Sequence, residues 1–244
     1  MKHLKKIRTV IRKLFSVDGS ASVYPKDFDS EIIEIHKRVS PYTMTSAERI
    51  YSLCKSVQYI ESNQIEGAIV ECGVWKGGSM MAIMLQLLNL KKERDCYLYD
   101  TFEGMTSPTA VDVDVSNKSA IEQFDEHNEE WCASALNDVK ENISSTGYNS
   151  TIVHYVEGKV EDTIPSIVPK RIALLRLDTD WYESTRHELE HLFPLLSPGG
   201  ILIIDDYGHW QGARKAVDEY MRRTKQKIFL ARVDYTARIA VKIN

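Results

Sequence analysis

A doubly wound, mostly parallel α/β sheet with helices on both faces is the fold class the sequence predicts, and three observations predict it. Short apolar runs rich in Val, Ile and Leu alternate with segments of helical period, the signature of successive βα units. The first buried run, I69-V70-E71-C72, breaks into a glycine-rich turn, G73-V74-W75-K76-G77-G78-S79, that feeds directly into the apolar helix M80-M81-A82-I83-M84-L85. The tail from Lys227 to Ile243 reads instead as two strands joined by a short turn, a closing hairpin.

Taken in order, the chain opens with a basic stretch that places Leu4, Ile7, Ile11 and Leu14 on one helical face among lysines and arginines. That face either makes a peripheral contact with an anionic membrane surface or packs on the protein itself or on a partner subunit. Residues 1–40 read as an N-terminal helical extension and 41–244 as one domain. A loop holding Pro25 and Pro41 leads to a helix over 46–62, with Ile50, Leu53, Val57 and Ile60 at helical spacing. Strands follow over 67–73, 95–99, 151–156, 171–177 and 199–204, with helices over 79–90, 182–196 and 211–223. Between 105 and 142 lies a polar insertion with Val111-Asp112-Val113-Asp114, then helical patterns around Phe124 and Trp131. An insertion over a ligand edge is a candidate lid or substrate-recognition segment.

Composition narrows the functional classes. With 244 residues, 43% of them hydrophobic, the chain buries a full core. Its 31 basic and 35 acidic residues leave a net charge of -4, which argues against a nucleic-acid groove. Cys54, Cys72, Cys96 and Cys132 are widely spaced with no C-x-x-C, as expected of reduced thiols in a cytoplasm. No apolar run approaches the roughly 20 residues that span a bilayer.

The chemistry collects at strand ends. A glycine turn between strand and helix lets a ligand lie against bare main chain while the helix aims unpaired N–H groups at it. Asp100 ends the second strand where a nucleotide-binding sheet offers a carboxylate to ribose hydroxyls; the alternative is a cap on the turn T101-F102-E103-G104. Glu71 lies inside a strand and needs either a ligand or a backbone partner. The fourth strand ends in D178-T179-D180 and the fifth in D205-D206, so four carboxylates converge on one edge of a parallel sheet. Four mutually repelling acids ask for a cation, and a hard ion such as Mg²⁺ prefers oxygen ligands. Helix capping is the plainer role for such aspartates, but two per strand at the ligand edge exceed what capping needs. His209 lies just beyond this edge and is a candidate substrate contact or acid–base group. H187-E188-L189-E190-H191 has zinc-protease spacing, yet Leu189, Leu192, Phe193 and Leu196 form the packing stripe, which turns both histidines to the wet face. Trp75, Trp181 and Trp210 lie near the edge as sugar-stacking candidates or core.

Taken together, Y42-T43-M44-T45-S46, V70-E71-C72-G73-V74-W75-K76-G77-G78-S79, Y99-D100-T101-F102-E103-G104-M105, L177-D178-T179-D180-W181-Y182 and D205-D206-Y207 resemble the macrocin O-methyltransferase (TylF-type) family. The resemblance covers roughly Pro41 to the C-terminus. It implies a Rossmann-like class I methyltransferase, with a seven-stranded sheet whose last strand is antiparallel, and Mg²⁺-dependent transfer from S-adenosylmethionine to a sugar hydroxyl of a glycoside. Carried over by position, it puts Glu71, Gly73 and Ser79 around the methionine moiety, with Thr43 and Met44 closing over it. Asp100 and Thr101 fall at the ribose, and Gly158 and Val160 near the adenine. Asp178, Asp205 and Asp206 hold the metal, Asp178 also borders the cofactor, and Asp180 is the general base.

Two rivals are a metal-dependent nucleotide-sugar glycosyltransferase, which leaves the glycine turn unexplained, and a non-catalytic methyltransferase-like glycan-binding protein. A nicotinamide dehydrogenase explains the turn and Asp100 but not the four aspartates. The chain is expected to form a homo-oligomer, to act on a small-molecule glycoside or glycan, and to bind no nucleic acid.

Overall fold

The computed structural model describes residues 24–127 and 131–243. A seven-stranded sheet runs through its centre in the order β3-β2-β1-β4-β5-β7-β6. The parallel part comprises β1 (Ala68–Cys72), β2 (Cys96–Asp100), β3 (Val153–Glu157), β4 (Ile172–Leu177) and β5 (Leu196–Ile204). The hairpin of β6 (Ala231–Arg232) and β7 (Arg238–Val241) inserts β7 antiparallel beside β5. The order reverses between β1 and β4, so their carboxyl ends splay apart and leave a crevice there.

Strands buried on both faces explain the near-continuous apolar runs. Alternate residues feed two cores, because side chains switch faces at every position. Ile69, Leu174, Ile201 and Ile203 pack beneath α1 (Ser30–Val39), α2 (Ala47–Ser62) and α3 (Gly78–Asn89). Val70, Cys72, Leu175, Leu202 and Ile204 pack on the opposite face with Leu189, Val217 and Tyr220. Helix α3 is buried from Gly78 through Leu87, so its lack of a polar face reflects cover from α1, α2 and the insertion rather than a membrane role. No helix among the described residues is long and apolar enough to cross a membrane. The basic segment 1–15 lies outside the described residues. Helix α1, within the predicted extension, belongs to the same core as the sheet: Ile32 is 1% exposed and Val39 is fully buried.

The insertion forms α4 (Ala120–His127) and α5 (Leu136–Ser144), and β3 is followed by a single helical turn, α6 (Val160–Thr163). The insertion is tied down through Asp112, which is buried and accepts hydrogen bonds from Thr109 N (2.7 Å) and Tyr182 N (2.8 Å). The second bond caps α7 (Tyr182–His191), where a carboxylate complements the positive helix end.

Helix α7 ends five residues earlier than its apolar pattern predicts. Pro194 has no N–H to extend it, and one 3₁₀ turn, Phe193–Leu195, leads straight into β5. The register slips between Ile172↔Leu196 and Leu174↔Ile201, which absorbs the Ser197–Gly200 stretch in the strand. The buried Lys242 ammonium donates to the carbonyls of Phe193 (3.1 Å), Pro194 (3.4 Å) and Leu196 (2.6 Å). Helix α8 (Gln211–Thr224) follows β5 and stops at Lys225 in the left-handed conformation.

Candidate active site

A cavity of about 220 Å³ opens in the crevice between β1 and β4. Its floor is the glycine turn. Gly73 (φ +81°) passes so close to the β4 end that a Cβ there would lie 2.0 Å from Asp178 O. Gly78 supports the opposite wall, where a Cβ would lie 2.5 Å from Tyr42 O and 2.7 Å from Thr43 Cβ. Only glycine lets the 42–45 loop and the 178–180 turn both close on this floor. Ser79 lies in the first turn of α3, on the wall, with its hydroxyl 3.5 Å from Thr45 Oγ1.

The structure brings most of the predicted residues to this one cavity. Thr43 and Met44 border its mouth, Met44 being 63% exposed. Thr101, Gly158 and Val160 line the adjoining end. Asp100 is also on the wall, where its carboxylate caps the turns that follow β1 and β2. Its Oδ2 accepts from Val74 N (2.6 Å) and Trp75 N (3.0 Å), and its Oδ1 accepts from Phe102 N (2.8 Å). Three backbone donors fix the carboxylate against the glycine turn, and the Thr101 hydroxyl lies 3.4 Å from its Oδ1.

Asp178, Asp180, Asp205 and Asp206 all face the cavity. Carboxylate oxygens of Asp178, Asp205 and Asp206 lie within 4.8 Å of one another, a spacing one ion can bridge. Burial, with the neighbouring acids adding to it, pushes Asp178 and Asp206 well above the usual carboxylate range. The same burial raises Asp180 to about 7, and Asp180 hydrogen-bonds Asp206. The backbone at Asp180 is left-handed (φ +66°), which re-aims its side chain after the strand has ended.

Two predicted residues lie elsewhere. His209 lines a neighbouring cleft of about 520 Å³ with Tyr207 and Arg214, outside the cavity that holds the aspartates. Burial lowers its pKa. Glu71 sits behind the wall, 1% exposed, and its partner is neither ligand nor backbone: Arg176 Nη1 donates to Glu71 Oε1 at 2.7 Å. Burial, opposed by Arg176, raises Glu71 to about 7.

Arg176 and Arg49 are what sequence reasoning missed. Arg176, 2% exposed, also pairs with Asp178 Oδ2 (2.6 Å) and Asp205 Oδ1 (3.0 Å). Arg49 of α2 pairs with Asp205 Oδ2 and with Asp234 (3.0 Å). The acidic edge thus carries two built-in cations. A signal was available: Arg176 interrupts R171-I172-A173-L174-L175-R176-L177 as Glu71 interrupts β1, and the two are register partners. An isolated charge inside an apolar strand implies an opposite one nearby.

Trp181 and Trp210 are 3% and 5% exposed and meet edge-to-face with centroids 4.9 Å apart, so they form core under the insertion rather than a sugar-stacking surface. Trp75 is on the cavity wall. His187 and His191 are half-buried rather than on a wet face, and His187 Nε2 hydrogen-bonds Ile164 O at 2.9 Å.

This sheet order, glycine turn and acidic edge define a Rossmann-like class I methyltransferase. The chain belongs to the macrocin-O-methyltransferase (TylF) family of S-adenosylmethionine-dependent O-methyltransferases, which it matches over residues 3–241, including most of the segment before Pro41. It is 36% identical over 184 residues to the 8-demethyl-8-(2,3-dimethoxy-alpha-L-rhamnosyl)-tetracenomycin-C 4'-O-methyltransferase of Streptomyces olivaceus, covering 75% of this chain and 68% of that one. It is 32% identical to the mycinamicin III 3''-O-methyltransferase of Micromonospora griseorubida, covering 75% and 71%. The solved O-methyltransferase NovP superposes with a TM-score of 0.73 over 83% of each chain, at 26% identity.

Proposed function

We propose that this enzyme transfers the methyl group of S-adenosylmethionine to a sugar hydroxyl of a glycoside or glycan and that it requires Mg²⁺. The observation that carries the reading is the convergence of Asp178, Asp205 and Asp206 oxygens within 4.8 Å on the wall shared with the glycine turn. The relatives' sugar acceptors point the same way. Membership of a methyltransferase family removes the glycosyltransferase reading.

A sugar hydroxyl is a poor nucleophile at neutral pH, so its proton must leave as the new bond forms. S-adenosylmethionine supplies the electrophilic methyl on a sulfonium, and Mg²⁺ would lower the pKa of a hydroxyl bound to it. Asp178, Asp205 and Asp206 would hold the ion, a donor set of hard oxygens that suits it. Asp180, displaced from the strand end but on the same wall, takes the hydroxyl proton on a carboxylate oxygen. The bare main chain at Gly73, Ser79 and the Thr43–Met44 loop hold the methionine end. Asp100 and Thr101 meet the ribose, and Gly158 with Val160 border the adenine. Glu71 acts from behind, through Arg176.

The test is turnover on a panel of glycosides with and without EDTA, beside calorimetric binding of S-adenosylhomocysteine. Chelation should stop turnover and leave binding intact. Removing Asp205 would strand two guanidiniums, so Asp206→Asn is the cleaner variant, and it should lose turnover with binding retained. Full turnover in EDTA sinks the metal requirement, and methylation of no glycoside sinks the acceptor class. The same reading places the enzyme in the cytoplasm, supported by its four free cysteines, as a homo-oligomer that sedimentation would reveal.

A further inference from the structure

Arg176 is an internal cation at the point where the acids converge. From the carboxyl end of β4 its guanidinium reaches Glu71 on β1, Asp178 just past β4 and Asp205 just past β5, at 2.7, 2.6 and 3.0 Å, and Thr45 Oγ1 of the cofactor-side loop at 3.4 Å. Its Nη1 donates to Glu71 and its Nη2 to Thr45, while Asp178 and Asp205 are held against the same planar fork as close ion pairs, an arrangement a lysine ammonium cannot reproduce. The opposite oxygen of Asp205 is held by Arg49, so both oxygens of that side chain are fixed. Glu71 makes no cavity contact, and its Oε2 is buried without a partner, so its tie to the site runs through Arg176.

We infer that Arg176 is a positioning residue for methyl transfer: a built-in counter-ion, anchored by Glu71, that fixes the directions of Asp178 and Asp205 before cofactor and metal arrive. It does two separable things. Its charge lets the carboxylates lie close together in the unloaded protein, and its fork sets where their free lone pairs point. Removing the charge leaves acids that a divalent cation must compensate. Keeping the charge without the fork leaves the acids compensated but misdirected.

The inference rests on the metal reading in one arm of its test and not in the other. The full-length protein is compared with Arg176→Met and Arg176→Lys, by melting temperature across a Mg²⁺ titration and by kcat and acceptor KM at saturating S-adenosylmethionine. Arg176→Met should gain much more in melting temperature from Mg²⁺ than wild type, because the ion replaces the missing positive charge and stabilises the fold it binds. Its kcat should fall about 100-fold, the cost of misplacing reacting groups, with acceptor KM little changed. Arg176→Lys should return the Mg²⁺ response to that of wild type and leave kcat low. A merely structural arginine would lower the melting temperature of Arg176→Met, leave the Mg²⁺ response unchanged and spare kcat; that result overturns the inference, as does full recovery of kcat in Arg176→Lys. If Arg176→Met does not fold even in saturating Mg²⁺, the kcat of Arg176→Lys decides. A wild-type protein whose melting ignores Mg²⁺ overturns the metal reading alone, and the kcat of Arg176→Lys then judges the arginine.

Discussion

Glu188, the acid of the H-E-x-x-H stretch, turns inward from α7 and is fully buried. Its Oε1 accepts from Thr179 Oγ1 at 2.9 Å, directly under the aspartate turn, and the buried Cys72 thiol faces the same carboxyl group. Burial pushes its pKa well above the ordinary value of 4.5, so the folded chain keeps a proton that the unfolded chain releases. The folded state therefore binds more protons above about pH 4.5, and stability falls as pH rises from there, by at most about 1.4 kcal/mol per pH unit. Glu188→Gln is neutral at every pH and can still accept from Thr179. It should melt higher than wild type at about pH 8, with the gap closing toward about pH 4. Parallel melting curves across that range would show that Glu188 is already charged in the fold. Asp180 admits an equally clean substitution, because Asn tolerates its left-handed backbone. Asp180→Asn should bind S-adenosylhomocysteine as wild type does and lose about 10²- to 10⁴-fold in kcat, as expected when a general base is removed. A loss of less than tenfold would assign the proton to another group.

At the scale of elements, the floor of the site is a packing problem solved by glycine. A methyl group at Gly78 would press on the backbone of Tyr42 and the side chain of Thr43, neither of which is a flexible end. Gly78→Ala should keep the sheet, since residue 78 begins a helix with ordinary angles, but push the 42–45 loop off the wall. Strain of about 1–3 kcal/mol released this way corresponds to a weakening of S-adenosylhomocysteine binding by about 5- to 150-fold. Unchanged affinity would mean that the loop does not close on the ligand. The elements legible in the sequence were those whose burial is symmetric. Strands β1 and β4 announce themselves as apolar runs, and the aspartates are readable because every parallel strand ends on the same edge. The α7–β5 junction was not readable, because Phe193 and Leu196 continue the apolar stripe across a turn that only Pro194 interrupts. Arg176 was hidden for a related reason: its meaning depends on register against Glu71, and register is a property of two strands rather than of either.

At the scale of the molecule, a helix from before Pro41 packs into the same core as the sheet. Helix α1 sets Ile32, Ile35 and Val39 into the core that also holds α2 and α3, so the sheet is built against it. The basic start of the chain lies outside the described residues, and its sequence carries its own expectation. Residues 1–15 carry six lysines and arginines around Leu4, Ile7, Ile11 and Leu14. Each basic side chain near an anionic bilayer contributes about 1 kcal/mol, and the attraction decays within a Debye length. A segment of this composition should therefore hold the enzyme on phosphatidylserine vesicles at low salt and release it as salt rises. Deleting residues 1–15 should abolish co-sedimentation while leaving the melting temperature and methyl transfer to a soluble glycoside unchanged. Binding that survives the deletion would move the membrane contact elsewhere on the protein. A deletion that instead melts the fold or abolishes transfer would assign the segment to the protein's own packing, and the lysines and arginines would then be its solvated face.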